Sequence, residues 1–179
     1  DRVDSAVGVN GGQTGLTGGS AGGALPTDKT LMTLLTGERD HKDGQNDIQV
    51  KFESAGVGGV KLVKTYTLKR GSYAIAVRHD IINTGSAAVT PQLYMQLVRD
   101  GNDPVNKIPA PKLLHLFGVV NMPSFYSTFT GPAIYTEAKK YQKVEFKEIE
   151  NNKVDVEKQA SNGYVAMVQH YFASAWILG

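Results

Sequence analysis

The residue pattern predicts an all-β fold, a sandwich of two mostly antiparallel sheets. Two observations carry that expectation. Several segments alternate apolar and polar residues with a period of two, among them IQVKF at 48–52 and the stretches at 60–70 and 73–82. Short Gly- and Asn-containing turn signals separate successive segments, with no long helical pattern between them. With 179 residues and 41% apolar content, the chain can bury the core of one domain.

The first residues read as a mobile arm, and residues 1–30 are expected to be a Gly-rich mobile segment preceding a β-sandwich body at 31–179. Residues 8–23 (GVNGGQTGLTGGSAGG) contain eight glycines, and Leu16 is their one large apolar side chain. Such a stretch loses much backbone entropy on ordering and gains little by burial. It is not a phosphate loop, since GxGxxG spacing and a following Gly-Lys-Ser/Thr are both absent.

Residues 31–35 form a short apolar run, read as the first strand, and 37–46 (GERDHKDGQN) a polar turn. In 48–52, Ile48, Val50 and Phe52 share one side and Gln49 and Lys51 the other, as in a half-exposed strand. In 60–70, Leu62, Tyr66 and Leu68 share a face with Lys64. After Gly71-Ser72, Tyr73, Ile75, Val77 and Ile81 share a face with His79, so the two segments make a hairpin candidate. NTGS at 83–86 is the next turn and 89–98 the next strand, with Pro91 arguing for an edge position or an irregular start. Residues 60–98 are therefore expected to supply consecutive paired strands.

Beyond Arg99 the signal weakens, LLHLFGVV fitting either a short helix or a strand. Pro123 and Pro132 bracket an aromatic loop whose Phe125, Tyr126 and Phe129 either complete a core or contact a partner; they are the candidate interaction residues. Residues 133–135 suggest a short strand, and 143–149 (KVEFKEI) alternate around Val144 and Phe146. Between 137 and 158 six lysines face six acidic residues, a solvated mixed-charge surface. The segment 163–178 holds the only Trp, Trp176, and no charged residue. Its apolar content marks it as core, and its periodicity fits a single helix or two strands broken near Gln169, His170 and Tyr171.

Formal net charge is +2 with no long run of either sign, which makes nucleic acid a poor partner. The absence of Cys removes disulfides and thiol chemistry. No apolar stretch reaches the ~18 residues of a membrane span, so the chain is expected to be soluble, though it can be an excised part of a membrane protein. Neither a metal nor a cofactor is expected: His41, His79, His115 and His170 lack metal-ligand spacing. His79 and Asp80, adjacent in a strand, point to opposite faces and cannot act as a base and its orienting partner. No GxSxG is present, and no catalytic residue is assigned.

Residues 65–77 (TYTLKRGSYAIAV), with GYVAM at 163–167 and QHYFASAWI at 169–177, resemble the large periplasmic domain of bacterial membrane protein insertases of the YidC family, the YidC/Oxa/Alb family. Further likeness lies in GLTG at 15–18, GQNDIQV at 44–50 and FTGPAIYTEAKKYQKVEF at 129–146, in the same order. It covers roughly residues 15–177, with interruptions at 17–39 and 101–124. The resemblance implies a galactose-mutarotase-like β-supersandwich, truncated at both ends, in a protein that also carries a membrane anchor and five membrane segments performing insertion. It further implies the periplasmic face of the inner membrane of a Gram-negative bacterium, and an accessory, non-catalytic role. Expected partners are the Sec translocon, SecD/SecF and SecYEG, and nascent inner-membrane proteins; self-association of the truncated chain is also expected. Mutarotases use a His pair with acidic residues, and no counterpart transfers to His79, His115 or His170, so an epimerase-like or carbohydrate-binding role is the alternative, beside a structural spacer. Within this frame residues 163–177 are expected to run strand, tight connection, strand, with Trp176 buried.

Overall fold

The computed structural model describes residues 11–18, 23–35, 40–99, 108–109, 121–122, 129–169 and 171–178. The fold is all-β: among the described residues there are twelve strands and one short helix, and every pairing with a defined register is antiparallel. The chain forms two compact units, one spanning Thr14–Met95 and the other Gln96–Gly179 with the residues before Thr14.

In the Thr14–Met95 unit, β2 (Met32–Leu34), β3 (Asp47–Ser54), β4 (Val60–Lys69) and β5 (Ile75–Asn83) form a four-stranded sheet in chain order. Alternation dictates these strands: Val60, Leu62 and Lys64 of β4 are buried, while Lys61 and Val63 between them are more exposed. Gly71 turns the β4–β5 hairpin at φ 74°, a left-handed backbone that suits glycine, and Ser72 donates its N–H to Lys69 O at 3.1 Å. Tyr73 lies ahead of β5 and is fully exposed instead of sharing its face.

Two expectations fail in this unit. Residues 60–98 do not pair consecutively, because β6 (Pro91–Val98) leaves β5 and pairs with β1 (Gly11–Gly18). The Asn83 side chain bends the chain there, accepting Gly85 N–H at 3.0 Å and donating to Ala87 O at 2.8 Å, and Pro91 brings no N–H to a ladder. The second failure is the Gly-rich arm, since its residues 11–18 are β1 itself. Leu16, 1% exposed, joins Leu25, Val60 and Leu62 as the core, with Val89 packed against them, and donates its N–H to Pro26 O at 2.8 Å. One deeply buried leucine and a strand ladder offset the glycine entropy cost.

In the Gln96–Gly179 unit, β10 (Lys140–Lys143), β9 (Gly131–Thr136), β11 (Gly163–Val168) and β12 (Ala173–Leu178) lie side by side in that order. The segment at 163–178 is thus two strands, closed by Gln169 N–H donating to Phe172 O at 2.8 Å. The alternation at 143–149 does not continue as a strand past Lys143. After Lys143 the chain enters α1 (Phe146–Glu150), whose first turn is fixed by the Glu148 carboxylate accepting the Glu145 N–H at 2.9 Å. Short strands β7 (Ile108–Pro109) and β8 (Asn121–Met122) pair with each other. No helix among the described residues is long and apolar enough to cross a membrane.

Candidate interaction surface

The ladder of the Gln96–Gly179 unit fixes which side chains stand together. Tyr141 opposes Tyr135, Tyr135 opposes Tyr164, and Tyr164 opposes Ile177. Directly opposed residues project to one face, so Tyr141, Tyr135, Tyr164 and Ile177 form a row across all four strands. The Tyr135 and Tyr164 rings stack at 5.4 Å between centroids and 11° between planes, an arrangement that adds about 0.5–1.5 kcal/mol beyond area burial. The adjacent row is Lys143, Ala133, Ala166 and Ala175, small on three of its four strands.

The row ends at β12, the last strand of this sheet among the described residues. Among the described residues β12 pairs only with β11. Phe172 and Ile177 are each 72% exposed, and Leu178 and Tyr171 are exposed with them. Trp176 does not have the buried position expected of it. It is half-buried, its indole Nε1 donating to Gln96 O at 3.0 Å and its ring lying 3.2 Å from where a Cβ on Gly12 would stand. The strand period accounts for this: Trp176 opposes Val165 and faces away from the tyrosine row, on the side where Gly12 and Gln96 lie.

Of the candidate interaction residues, Phe125 and Tyr126 lie outside the described residues. Phe129 is half-buried at the entry to β9, with Lys143 Nζ 5.1 Å from its ring centroid, a cation–π contact. It supports the start of the strand. The tyrosine row was not singled out in the sequence; the alternation in GYVAMV was its only trace.

The other assembly of reactive groups lies in the Thr14–Met95 unit. Lys64 is buried and donates from Nζ to Thr14 O at 2.6 Å, and His79, its cross-strand partner, has Nε2 2.9 Å from Thr14 Oγ1. Tyr94 donates its hydroxyl to Asp28 Oδ1 and accepts the Asp28 N–H at 3.0 Å. Burial lowers the proton affinity of Lys64, with the Asp28 charge opposing it. The His79 pKa falls below its ordinary value, first through burial and then through the Lys64 charge, with Asp80 pulling the other way. Tyr94 is raised by desolvation and by its hydrogen bond to Asp28. Asp80 opposes Val63, not Lys64, and is held by Arg78 at 2.7 Å, so His79 and Asp80 act on separate faces. His115 and His170 lie outside the described residues, among which no group of three His, Cys, Asp or Glu side chains could hold a metal ion.

The YidC periplasmic domain family model matches residues 5–179. Among curated proteins, the chain is similar to membrane protein insertases YidC of three bacteria. Identity is 47% over 160 residues for Burkholderia cenocepacia, covering 89% of this chain and 26% of the relative. It is 46% over 166 residues for Janthinobacterium sp. strain Marseille, covering 93% and 26%, and 45% over 165 residues for Bordetella parapertussis, covering 92% and 26%. The chain thus spans about a quarter of the length of these relatives. With nearly its whole length matched and an all-β antiparallel fold, the chain belongs to the YidC periplasmic domain family of membrane protein insertases.

Proposed function

We propose that this chain is part of a non-catalytic periplasmic domain on the inner membrane of a Gram-negative bacterium, and that it docks extended polypeptide segments while the rest of the protein inserts them. The observation that carries the proposal is the exposure of Phe172 and Ile177 at β12, a strand that among the described residues pairs only with β11. An unpaired edge supplies a line of backbone donors and acceptors, so its natural occupant is a strand. Ile177 terminates the Tyr141, Tyr135 and Tyr164 row. An incoming segment with an apolar residue opposite Ile177 would lengthen the row, which selects segments with apolar side chains. Periplasmic stretches of nascent inner-membrane proteins fit that chemistry, and so does an exposed strand of a translocon subunit of SecD/SecF or SecYEG.

The enzyme alternative is supported by one observation, the convergence of His79, Lys64, Asp28 and Tyr94 in the other unit. These groups are committed to one another and to Thr14, which leaves them poorly placed to engage a sugar.

The docking reading is tested by charging the edge. Ile177→Lys and Phe172→Asp in the full-length protein place unpaired charge where an apolar strand would lie. Both should slow insertion of substrates with long periplasmic segments and leave the protein's accumulation in the membrane unchanged. Undiminished insertion in both variants contradicts the reading, and mutarotation abolished by His79→Ala would favour the enzyme instead.

A further inference from the structure

Thr14 is held by two basic side chains at once. It is 3% exposed, its carbonyl oxygen accepts from Lys64 Nζ at 2.6 Å, and its hydroxyl lies 2.9 Å from His79 Nε2. Lys64 and His79 are direct partners across the β4–β5 ladder, so both reach β1 from one face of the sheet. The next inward residue of β1 is Leu16, at the centre of the core. We propose that Thr14 is a proton-operated latch: protonation of His79 sets a second positive charge beside Lys64 on the same residue and releases this end of β1 from the sheet. The proposal is independent of the docking reading.

Among the described residues, the acid that acts on His79 is Asp80, and its carboxylate is already bonded to Arg78. From β4 it faces Lys64, already cationic; from β1, the neutral Thr14 hydroxyl. On β5 its neighbours Arg78 and Asp80 are bonded to each other, Arg78 donating through Nε at 2.9 Å and Nη2 at 2.7 Å. The acid acting on Lys64 is Asp28, in the segment before β2, and its carboxylate takes the hydroxyl of Tyr94 from β6. Beyond Lys64, β3 presents Phe52, which carries no charge. Burial and the Lys64 charge both act to keep His79 neutral in the closed form, Asp80 opposing.

The sign follows by linkage. A released His79 titrates near its ordinary value of 6.5, and the latched one below it. The open form therefore binds more protons as pH drops below 6.5, and opening grows as pH falls through the latched value. Above neutrality the latch does not respond to pH. The Lys64 charge, which already lowers His79, supplies the repulsion.

Hydrogen exchange of the full-length protein, read by mass spectrometry at pH 7.5 and 5.0 and corrected for intrinsic rates, tests this. Peptides covering β1 should lose several-fold protection at pH 5.0 relative to peptides covering β4, and His79→Gln, which keeps a polar side chain but cannot titrate, should remove that difference. An equal loss in the parent and in His79→Gln would overturn the latch. Should His79→Gln fail to accumulate, exchange at the imidazole C2 carbon of the parent protein decides, since it reports each histidine's own titration. A His79 midpoint below 6.5, with protection of β1 lost over the same pH range, supports the latch, and a midpoint at or above 6.5 overturns it.

Discussion

Replacing Leu16 by Ala separates a core strand from a glycine-rich arm. Leu16 is 1% exposed and meets Leu25, Val60 and Leu62. The substitution removes three methylene-sized groups; at about 0.8 kcal/mol each, the lost transfer energy is about 2.4 kcal/mol. The cavity left behind adds to this, and measured Leu→Ala changes at buried sites span roughly 2.7–5 kcal/mol, so a loss of about 3 kcal/mol is expected. Urea unfolding should be followed by circular dichroism, which reports the strands themselves. Leu31→Ala, at a position 84% exposed, serves as the control and should cost under about 0.5 kcal/mol. A Leu16→Ala loss no larger than the control's would refute the assignment of β1 to the core.

Further outcomes follow from individual contacts. Trp176→Ala should cost about 2 kcal/mol, for a half-buried ring and one hydrogen bond to Gln96 O, well below a fully buried tryptophan; urea unfolding by circular dichroism measures it. Gly163→Ala should cost about 2–3 kcal/mol, because φ is 136° and a Cβ would stand 2.3 Å from Tyr135 O, and hydrogen exchange should show β9 and β11 loosening first. Asp155 accepts from Lys139 Nζ at 2.6 Å, which holds its carboxyl below the usual 3.8. In Lys139→Ala its titration, followed by carboxyl carbon NMR, should move up toward that value. Any stability the pair contributes is present above 3.8 and lost as pH falls through the lowered value.

The strands that alternate most strictly were the most legible. In β4 and β5 the faces, the hairpin and the Gly71 turn all follow from residue order, and Lys64 and His79 could be placed on the apolar faces that they occupy. The partner that joins them, Thr14, could not be, because it lies in the glycine-rich stretch. Those glycines have a packing role that composition conceals. A Cβ on Gly15 would stand 2.5 Å from Tyr94 Oη and 2.7 Å from Asp28 N, and one on Gly12 would press on Trp176. Here glycine permits close approach between segments distant in sequence, whereas a local reading sees only entropy. Helix α1 was missed for a related reason. Alternation around Val144 and Phe146 suggested a strand, but Glu148 three residues after Glu145 gave the backbone a better local bond. The tyrosine row was hidden because its members lie on three strands, and only the register Tyr141 to Tyr135 to Tyr164 brings them together. Aromatic density in one loop pointed to Phe125, Tyr126 and Phe129 instead; of these Phe129 sits under Lys143 as support for β9.

The docking claim is tested most directly by photocrosslinking from the edge itself. A photoreactive residue is placed at Ile177 or Phe172 of the full-length protein in membranes, with Glu150 on the exposed end of α1 as a control. The account expects adducts with stalled nascent membrane proteins, or with translocon subunits, from Ile177 and Phe172 and few from Glu150. Crosslinks from Ile177 and Phe172 confined to the protein's own polypeptide would show the edge already occupied and contradict the claim.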